Sequence, residues 1–375
     1  MPSIDDIQAA IRAVAADRIR PSAAAVDATR EFPAQNLRAL GDAGALGLVV
    51  PGSLGGAGGG LVALSLACET LGSACASTAM VYLMHSVTAA TVAAGGGVRA
   101  ADVAAALSTG SVGTLAFSER GTGAHFYAPE LKVHRTNGSV QVSGTKSFVT
   151  SGGQADLYLL LVQSDEDGAA DAYVVERGAA GLSFEGEWQG LGMAGNSSIA
   201  MRLHDVALEN DARIGLPGQG VALVFEVVAP CFLVGLAATN VGIAAAATAA
   251  AAAHARGRTY PDGTSLAEIP YIQHLLADMD LKTRAARLLV RDAAALGEHG
   301  DPTALVAIME AKVAATEAAA EVTRLALTAT GGQGYTPSLP IERHFRDAHA
   351  GAVMAPTNAV LRSWIGKALT GLPVP

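Results

Sequence analysis

Three stretches of the chain combine glycines, hydroxyl groups and aromatic rings in a way suited to holding a large planar ligand. The first, "LAFSERGTGAHF" at 115–126, offers a serine hydroxyl and glycine-exposed backbone amides, which can hydrogen-bond a polar ring edge. The second, "GTKSFVTSGGQAD" at 144–156, adds Phe148 as a stacking surface and Thr150 as a nearby donor. The third, "ATGGQGYTPSLPIERHFRDA" at 329–348, supplies glycines for close backbone approach. Together they predict a site for an aromatic, dinucleotide-type cofactor. No G-x-G-x-x-G sequence stands between a strand and a helix, so a Rossmann site is not indicated.

Composition and charge exclude several other kinds of protein. The 375 residues are 50% hydrophobic and only 16% charged, which favours a well-packed soluble enzyme over a disordered chain. A formal net charge of -9 and the lack of a basic cluster interleaved with aromatic residues predict that nucleic acid is not a partner. The three cysteines, Cys68, Cys75 and Cys231, have no CxxC spacing. We therefore expect buried thiols in a reducing cytoplasm, with no disulfide framework and no metal site.

Two segments bear on cellular location. The N-terminal sequence is an amphipathic helix pattern without an apolar signal core, so we expect an unexported, cytoplasmic protein. The long uncharged run at 227–253 raises the question of a membrane span. Because it contains Pro230, Asn240 and many weakly hydrophobic alanines, we interpret it as a helix buried in a bundle and expect no membrane.

Three regions with different secondary-structure patterns must position these three stretches. Residues 1–110 are helical in pattern, and residues 111–222 contain short β-branched runs separated by Gly, Asn and Asp, as in an antiparallel sheet. Residues 223–375 are helical again and predict a four-helix-bundle-like domain. The long helices of this last region are predicted at about 221–256, 268–298 and 302–330. The fold class is thus a multi-domain α+β protein: helices, antiparallel sheet, helices.

This plan, together with the motifs, resembles the acyl-CoA dehydrogenase superfamily over essentially the whole chain. In the N-terminal region "FPAQNLRALGDAGALGLVVPGSLGGAGGG" is similar to that family's pattern of Phe-Pro, Gly-Leu, Pro and Gly-Gly-x-Gly. In the β region "SERGTG" and "KSFVTSGGQAD" resemble its Thr-Glu-Pro-x-Ala-Gly and Lys-x-Trp/Phe-Ile-Thr-x-Gly segments, and "LGMAGNSS" resembles its Met-Gly-x-Arg-x-Ser turn. Near the end, "GGQGY" and "PIERHFRDA" match its Gly-Gly-x-Gly-Tyr and Pro-x-Glu-Arg-x-x-Arg-Asp-Ala.

The resemblance implies a flavin, FAD with FMN as the alternative, between the β domain and the C-terminal bundle, and a homo-oligomer, a dimer or a dimer-of-dimers tetramer. It implies an acyl-CoA or other small-molecule substrate, and an electron-transfer flavoprotein or a flavin reductase as redox partner. By position the cofactor contacts are Ala116, Phe117, Ser118, Phe148, Thr150, Arg256 or Arg258 with Tyr260, Gly331, Gly332 and Thr357.

The chain departs from the family at the catalytic base. After Arg-Asp-Ala and the spacer "HAGAVM", the position of the family's proton-abstracting glutamate holds Ala355. The alternative site for that glutamate, on an earlier helix, falls near Cys231, Phe232 and Leu233, and Glu226 lies more than a helical turn away. A missing general base costs about 10²–10⁴ in rate. Ordinary α,β-dehydrogenation is therefore in question.

Two histidines are the candidates to replace the base, because histidine titrates near neutral pH. His85 in "YLMHSV" and His125 in "GAHF" both belong to segments expected to border the cavity. Glu119 is interpreted as a structural hydrogen-bond acceptor. His125 also stands, with Ala124, where the family has Ser-Asp, and Thr328 replaces the glutamine that meets the flavin pyrophosphate. These changes weaken the expected recognition of CoA more than that of flavin.

Three functions are compatible with the pattern. The first is a flavin-dependent oxidoreductase of acyl-CoA dehydrogenase type with a non-standard base or acyl substrate, a desulfinating relative being a variant. The second is a flavin monooxygenase or N-hydroxylase on the same fold, to whose members the ending "RSWIGKALTGLP" is similar. The third is a non-catalytic subunit of a heteromeric dehydrogenase.

Overall fold

The N-terminal region is a helical layer built around one buried helix. The computed structural model describes residues 2–136, 139–164 and 169–374. The chain enters its first helix through a capping box, in which Ser3 Oγ accepts from Asp6 N and the Asp6 carboxylate accepts from Ser3 N. The helices of this region are α1 (Ile4–Val14), α2 (Arg20–Thr29), α3 (Ala34–Asp42), α4 (Leu61–Ala74), α5 (Ala76–Gly95) and α6 (Ala100–Thr109). Nearly every residue of α5 is buried, and it packs on α4, α6 and the first strand of the next region.

The middle region consists of two packed four-stranded sheets. The first has the order β1 (Gly113–Ala116), β4 (Leu157–Gln163), β5 (Ala170–Glu176), β8 (Arg213–Ile214). The second has the order β2 (Val133–Thr136), β3 (Ser139–Val149), β7 (Ile199–Leu208), β6 (Leu182–Glu185). Alternate side chains of both sheets meet in a shared core that includes Tyr158, Leu160, Val142 and Met201.

One strand pair differs from the predicted antiparallel sheet. β1 runs parallel to β4, with Gly113 opposite Leu157, whereas the other described pairs are antiparallel. The chain leaves the first sheet after β1, forms β2 and β3 in the second sheet, and only then returns as β4. Such a crossover is what a parallel pair requires.

The C-terminal region is a helical bundle around one very long helix. The helices are α7 (Gly220–Leu223), α8 (Ala229–Gly257), α9 (Pro270–Glu298), α10 (Ala304–Thr330), α11 (Ile341–Ala348), α12 (Ala350–Val353) and α13 (Asn358–Leu369). The predicted boundary after residue 222 falls inside α7. The stretch Gly220–Gly257 is long and apolar enough to cross a membrane, with 56% of its most apolar window buried. It packs against α4, α9 and α10, as the central helix of the bundle.

Glycines let α4 and α8 approach closely. A Cβ atom at Gly72 would collide with the backbone oxygen of Thr239, and one at Gly242 would collide with the backbone oxygen of Glu69. The two helices therefore lie backbone to backbone at their crossing, which joins the N-terminal region to the bundle. This fixed crossing places α5 and α8 on two sides of one space.

His85 links α5 to the backbone of Leu46 and Gly113 and does not border the space between α5 and α8. Its side chain is fully buried. Nε2 lies 3.0 Å from the Leu46 carbonyl oxygen, and Nδ1 accepts a 3.1 Å hydrogen bond from Gly113 N. A carbonyl only accepts and an amide only donates, so the ring is neutral with its proton on Nε2. Burial lowers the pKa of His85 to about 4. The prediction that His85 serves as the base is therefore corrected: its two nitrogens are used by the backbone.

His85 should make folding stability depend on pH. Its pKa is depressed from 6.5 to about 4 in the folded protein, so below pH 6.5 the unfolded chain binds a proton that the folded chain does not. The free energy of unfolding should then decrease by about 1.4 kcal/mol per pH unit as the pH falls through this window. We expect His85→Gln to reduce this slope by about that amount in chemical denaturation series followed by tryptophan fluorescence.

Part of the slope should persist in His85→Gln, because burial also lowers the pKa of His344, to about 3. An unchanged slope in His85→Gln would contradict the assignment of His85 as a buried neutral ring.

Candidate active site

A cavity of about 800 Å³ lies where the β domain, α5, α8 and the segment 346–357 meet. Its size falls within the range of small-molecule sites, about 300–1,000 Å³. Residues from all three regions line it: Met80, Met84, Leu115, Phe117, Ser118, Glu119, Arg120, Gly123, Ala124, Phe126, Ser147, Phe148, Thr150, Trp188, Gly190, Leu191, Gly192, Met193, Asn196, Ser198, Val228, Ala229, Phe232, Arg346, His349, Ala350, Val353, Met354, Ala355 and Thr357. The cavity therefore depends on how the domains are assembled.

The β-domain wall of the cavity carries a group of polar side chains among apolar ones. Thr150 Oγ1 and Ser198 Oγ lie 2.9 Å apart, and the Thr150 carbonyl is held by a 2.8 Å hydrogen bond from Thr114 Oγ1. Asn196 is 1% exposed, yet its Oδ1 has no hydrogen-bond partner among the described residues. A buried, unpaired amide oxygen costs about 1–3 kcal/mol. Its place in a cavity wall points to a ligand that donates a hydrogen bond there.

An aromatic pair stands at the mouth of the cavity. Phe148 is 70% exposed and adopts φ 52°, a left-handed conformation that is unfavourable for a bulky side chain. Its ring meets Trp188 edge to face, with centroids 6.5 Å apart. Exposed aromatic surface and backbone strain at one position are typical of functional sites. The structure thus places Phe148 where its ring can face a bound ligand.

Glu119 borders the cavity but is fully engaged behind it. Its carboxylate contacts Lys146 Nζ at 2.5 Å and accepts hydrogen bonds from Glu130 N and Leu131 N at 3.0 and 3.1 Å. Lys146 Nζ also donates to the Leu161 carbonyl oxygen at 2.5 Å. Burial lowers the pKa of Lys146 to about 8, against the attraction of Glu119. The pair anchors the loop after β1, and the Glu119 carboxylate is already satisfied.

Arg346 and Asp347 fix the first residues of the cavity-lining segment 346–357, which we call the helical wall. The Arg346 guanidinium binds both carboxylate oxygens of Asp27, at 2.9 and 2.6 Å, and the carboxylate of Glu342 at 2.8 Å. Asp347 is buried and accepts a 2.6 Å hydrogen bond from Met193 N. Burial raises the pKa of Asp347 to about 6. These bonds attach the end of α11 to both the N-terminal region and the β domain.

A buried lysine holds the far end of the same wall. Lys312 Nζ donates to the Pro356 carbonyl oxygen at 3.1 Å, to the Met354 carbonyl oxygen at 3.4 Å and to Asn358 Oδ1 at 2.9 Å. Asn358 is held in turn by Thr316 Oγ1, which lies 2.9 Å from its Nδ2. Burial lowers the pKa of Lys312 to about 7, while three oxygen acceptors favour the ammonium form. The loop between α12 and α13 is therefore tied to α10.

The cavity wall has no free carboxylate among the described residues. Ala355 lies in the wall, as does Phe232 from the alternative segment on α8. Leu233 is buried and Cys231 partly buried, and Glu226 is exposed outside the cavity. Neither position that the family uses for its glutamate brings an acid into this space.

The remaining predicted site residues lie apart from the cavity. Ala116 is buried in the core between the two sheets. His125 is exposed, with its ring edge to face against Tyr127 at 5.8 Å, and does not line the cavity. The predicted role of His125 as the base is thus not supported by its position. Two further groups stand at the ends of α8 and α10, in exposed or partly exposed positions: Arg256, Arg258 and Tyr260, and Gly331 and Gly332.

The structure adds His349 to the cavity wall. Its Nδ1 lies 2.6 Å from the Phe345 carbonyl oxygen, and the two rings pack with centroids 4.5 Å apart. The sequence pattern did not single out His349, because it belongs to the spacer between the Arg-Asp-Ala motif and Ala355. The four-residue spacing of Phe345, His349 and Val353 on one helical face was the available signal.

Comparisons with known proteins cover the whole chain. Three family models match in order: the N-terminal domain of acyl-CoA dehydrogenases at residues 2–99, the middle domain at 114–206 and the C-terminal domain at 234–370. The mitochondrial short-chain specific acyl-CoA dehydrogenase of Bos taurus is 30% identical over 348 residues, covering 91% of this chain and 84% of that protein. Cyclohex-1-ene-1-carbonyl-CoA dehydrogenase of Geobacter metallireducens is 29% identical, covering 96% of each chain.

The fold agrees with solved structures. Butyryl-CoA dehydrogenase from Megasphaera elsdenii superimposes with a TM-score of 0.92 at 25% identity, covering 99% of both chains. The prolyl acyl carrier protein oxidase AnaB, at 20% identity and a TM-score of 0.89, shares the fold. The predicted helix, sheet, helix architecture is thereby confirmed. With its three domains in the same order and relatives matched over nearly their full length, the chain belongs to the acyl-CoA dehydrogenase family.

Proposed function

We propose that this protein is an FAD-dependent oxidoreductase that acts on the acyl group of a thioester, an acyl-CoA or a related acyl carrier, without the family's glutamate base. The observation that carries the proposal is a largely apolar cavity at the junction of the three regions, in which a group of β-domain polar side chains, Ser118, Thr150, Asn196 and Ser198, lies in the wall. Membership of a family of flavin oxidoreductases supports the same chemistry. Family membership makes the chain an enzyme of acyl-CoA dehydrogenase type, and the cavity indicates where the reaction takes place.

The residues of the polar wall fit a flavin ring. A flavin carries ring N–H and carbonyl groups along one edge, and Asn196 Oδ1 is an unpaired acceptor for such an N–H group. Ser118, Thr150 and Ser198 supply hydroxyls at the same wall, and Phe148 offers an exposed ring for stacking. When bound, a flavin supplies a two-electron acceptor. The chain's contribution is to hold the polar edge and leave one ring face open to the substrate.

The outlying cofactor positions support a homo-oligomer. Arg256, Arg258 and Tyr260, like Gly331 and Gly332, lie outside the cavity of their own chain. In the arrangement that the resemblance implies, they would hold the phosphate and adenosine parts of FAD bound to a neighbouring subunit. We therefore propose a dimer or tetramer in which each cofactor contacts two chains, and FAD in preference to FMN.

The helical wall is suited to an acyl chain. Met80, Met84, Phe232 and Val353 contribute apolar side chains to the cavity wall. Such a surface excludes water, which strengthens the electrostatic interactions of the few polar groups present. We propose that the acyl chain lies between this wall and the flavin, and that an electron-transfer flavoprotein is the redox partner.

One alternative rests on a specific observation, the alanine at 355. A monooxygenase or N-hydroxylase on this fold needs no carboxylate there, and its reduced flavin would come from a flavin reductase. A non-catalytic subunit would also tolerate the loss. The polar wall remains intact in this chain, which favours a bound flavin over an inert subunit.

The full-length protein should bind flavin and be reduced by an acyl thioester. We expect a yellow protein whose flavin, released and identified by mass, is FAD. Under anaerobic conditions, a series of acyl-CoAs of increasing chain length should bleach the visible flavin band. A flavoprotein that no thioester bleaches, but that consumes oxygen with reduced flavin and a substrate amine or carbon acid, would support the oxygenase instead. A colourless protein that cannot be loaded with flavin would contradict both.

Ala355→Glu should place a carboxylate in the cavity wall. We expect single-turnover bleaching by a straight-chain acyl-CoA to accelerate, by at most the roughly 10²–10⁴ that general-base catalysis contributes. Ala355→Gln, which has the same shape without the charge, is the matched control and should not accelerate. Equal rates for the wild type, Ala355→Glu and Ala355→Gln would show that the wall does not receive the reacting carbon near residue 355.

Lys312→Met should loosen the loop that carries Ala355. The substitution leaves the Pro356 carbonyl without its lysine donor, at a cost of about 1–3 kcal/mol, and leaves Asn358 Oδ1 with Thr316 Oγ1 as its remaining donor. We expect a lower thermal midpoint and weaker thioester binding, with flavin content retained because the polar wall lies on the β domain. Lys132→Met, at an exposed lysine, is the control. Unchanged thioester affinity in Lys312→Met would argue against this positioning role.

A further inference from the structure

The described cavity wall contains four ionisable side chains, and only one of them is a free proton acceptor. Arg120 and Arg346 are cations that remain protonated. Glu119 is committed to Lys146 and to two backbone amides, so taking up a substrate proton would break a buried ion pair. His349 remains.

The surroundings of His349 fix its tautomer. Nδ1 lies 2.6 Å from the Phe345 carbonyl oxygen, which can only accept, so Nδ1 carries a proton. In the neutral ring Nε2 is then the basic nitrogen, and within the described residues it has no hydrogen-bond partner. Packing against the Phe345 ring at 4.5 Å restricts rotation of the imidazole. An anchored ring with one free basic nitrogen is the arrangement that a general base requires.

The charged groups around His349 are compatible with a role as general base. Arg346 lies on the same helical wall, but its guanidinium is paired with Asp27 and Glu342. The β-domain wall contributes the paired Glu119, and Arg120 is exposed at the edge of the cavity. The ring of His349 is partly buried, neither sealed in the core nor freely exposed. It can thus receive a proton inside the cavity and pass it to solvent.

We propose that His349 is the catalytic base of this enzyme, replacing the carboxylate missing at Ala355. The inference rests on the proposed function. The C–H bond at the α carbon of the acyl thioester breaks, and its proton passes to Nε2. The electron pair left on the α carbon would form the new α,β double bond, and a flavin, when bound, would supply the two-electron acceptor for the hydride released from the β carbon. Proton and hydride together account for the two hydrogens lost by the substrate.

The test compares His349→Gln with His299→Gln in the full-length, flavin-loaded protein; His299 is exposed outside the cavity and its Nδ1 makes the same contact, 2.6 Å to the Ala295 carbonyl oxygen four residues earlier. Glutamine retains a polar donor near Phe345 but cannot take up a proton at neutral pH. We expect single-turnover bleaching by acyl-CoA to fall by about 10²–10⁴, with thioester affinity, flavin content and thermal midpoint close to those of the wild type. The exposed His299→Gln should bleach at the wild-type rate.

A second readout follows the proton alone. In D₂O the wild type should exchange the α hydrogens of an acyl thioester for deuterium, detected by mass spectrometry of the recovered thioester. His349→Gln should lose this exchange, and adding Ala355→Glu to that variant should restore both exchange and bleaching.

The outcomes separate the two proposals. Wild-type protein that neither bleaches nor exchanges would overturn the proposed function and the base assignment with it. Wild-type protein that does both, with His349→Gln retaining them, would overturn the base assignment and leave the proposed function standing. A His349→Gln variant that loses bleaching only through weaker thioester binding would also overturn it, since the side chain would then be a binding residue.

Discussion

The cavity depends on one buried lysine. Lys312 Nζ reaches from α10 to the Met354 and Pro356 carbonyl oxygens in the loop between α12 and α13, and to Oδ1 of Asn358, the first residue of α13. A buried polar group is costly unless it is hydrogen-bonded. Because these three acceptors pair with the amine, the loop cannot move without leaving Lys312 unsatisfied. The position of residue 355 relative to the β domain follows from this constraint.

The two walls of the cavity are stabilised in different ways. The helical wall is fixed at its start by the bidentate Arg346–Asp27 pair and at its end by Lys312. The β-domain wall is fixed from behind by Lys146 and Glu119, but it leaves Asn196 Oδ1 unpaired and Phe148 in a strained conformation. The helical wall is thus held at both ends without a ligand, whereas the β-domain wall keeps a buried acceptor, Asn196 Oδ1, unpaired. A ligand that binds by its polar edge gains most from the β domain.

The sequence predicted the architecture better than the side-chain directions. The helix predicted at about 221–256 corresponds to the continuous stretch Gly220–Gly257, because alanine-rich periodicity leaves few alternatives. The parallel β1–β4 pair was not predicted, since strand direction depends on a crossover between sheets that local patterns do not encode. Phe148, Thr150 and Thr357 do share one cavity. His85 was wrongly predicted to border the cavity. Because α5 is apolar on every side, no periodicity in its sequence shows which face meets the cavity.

The alanine at 355 is informative because its surroundings are intact. Gly351 lies so close to Asn240 and Thr316 that a Cβ atom there would collide with both, and Lys312 holds the loop on the other side of Ala355. Close packing at Gly351 and the hydrogen bonds from Lys312 hold this segment in one position, as a segment that still lines a functional site requires. What differs is the source of the proton acceptor: a flexible carboxylate at 355 would be oriented by the loop, whereas the imidazole of His349 is oriented by its own helix through Phe345. The same frame can thus present a proton acceptor to the cavity from either residue 349 or residue 355.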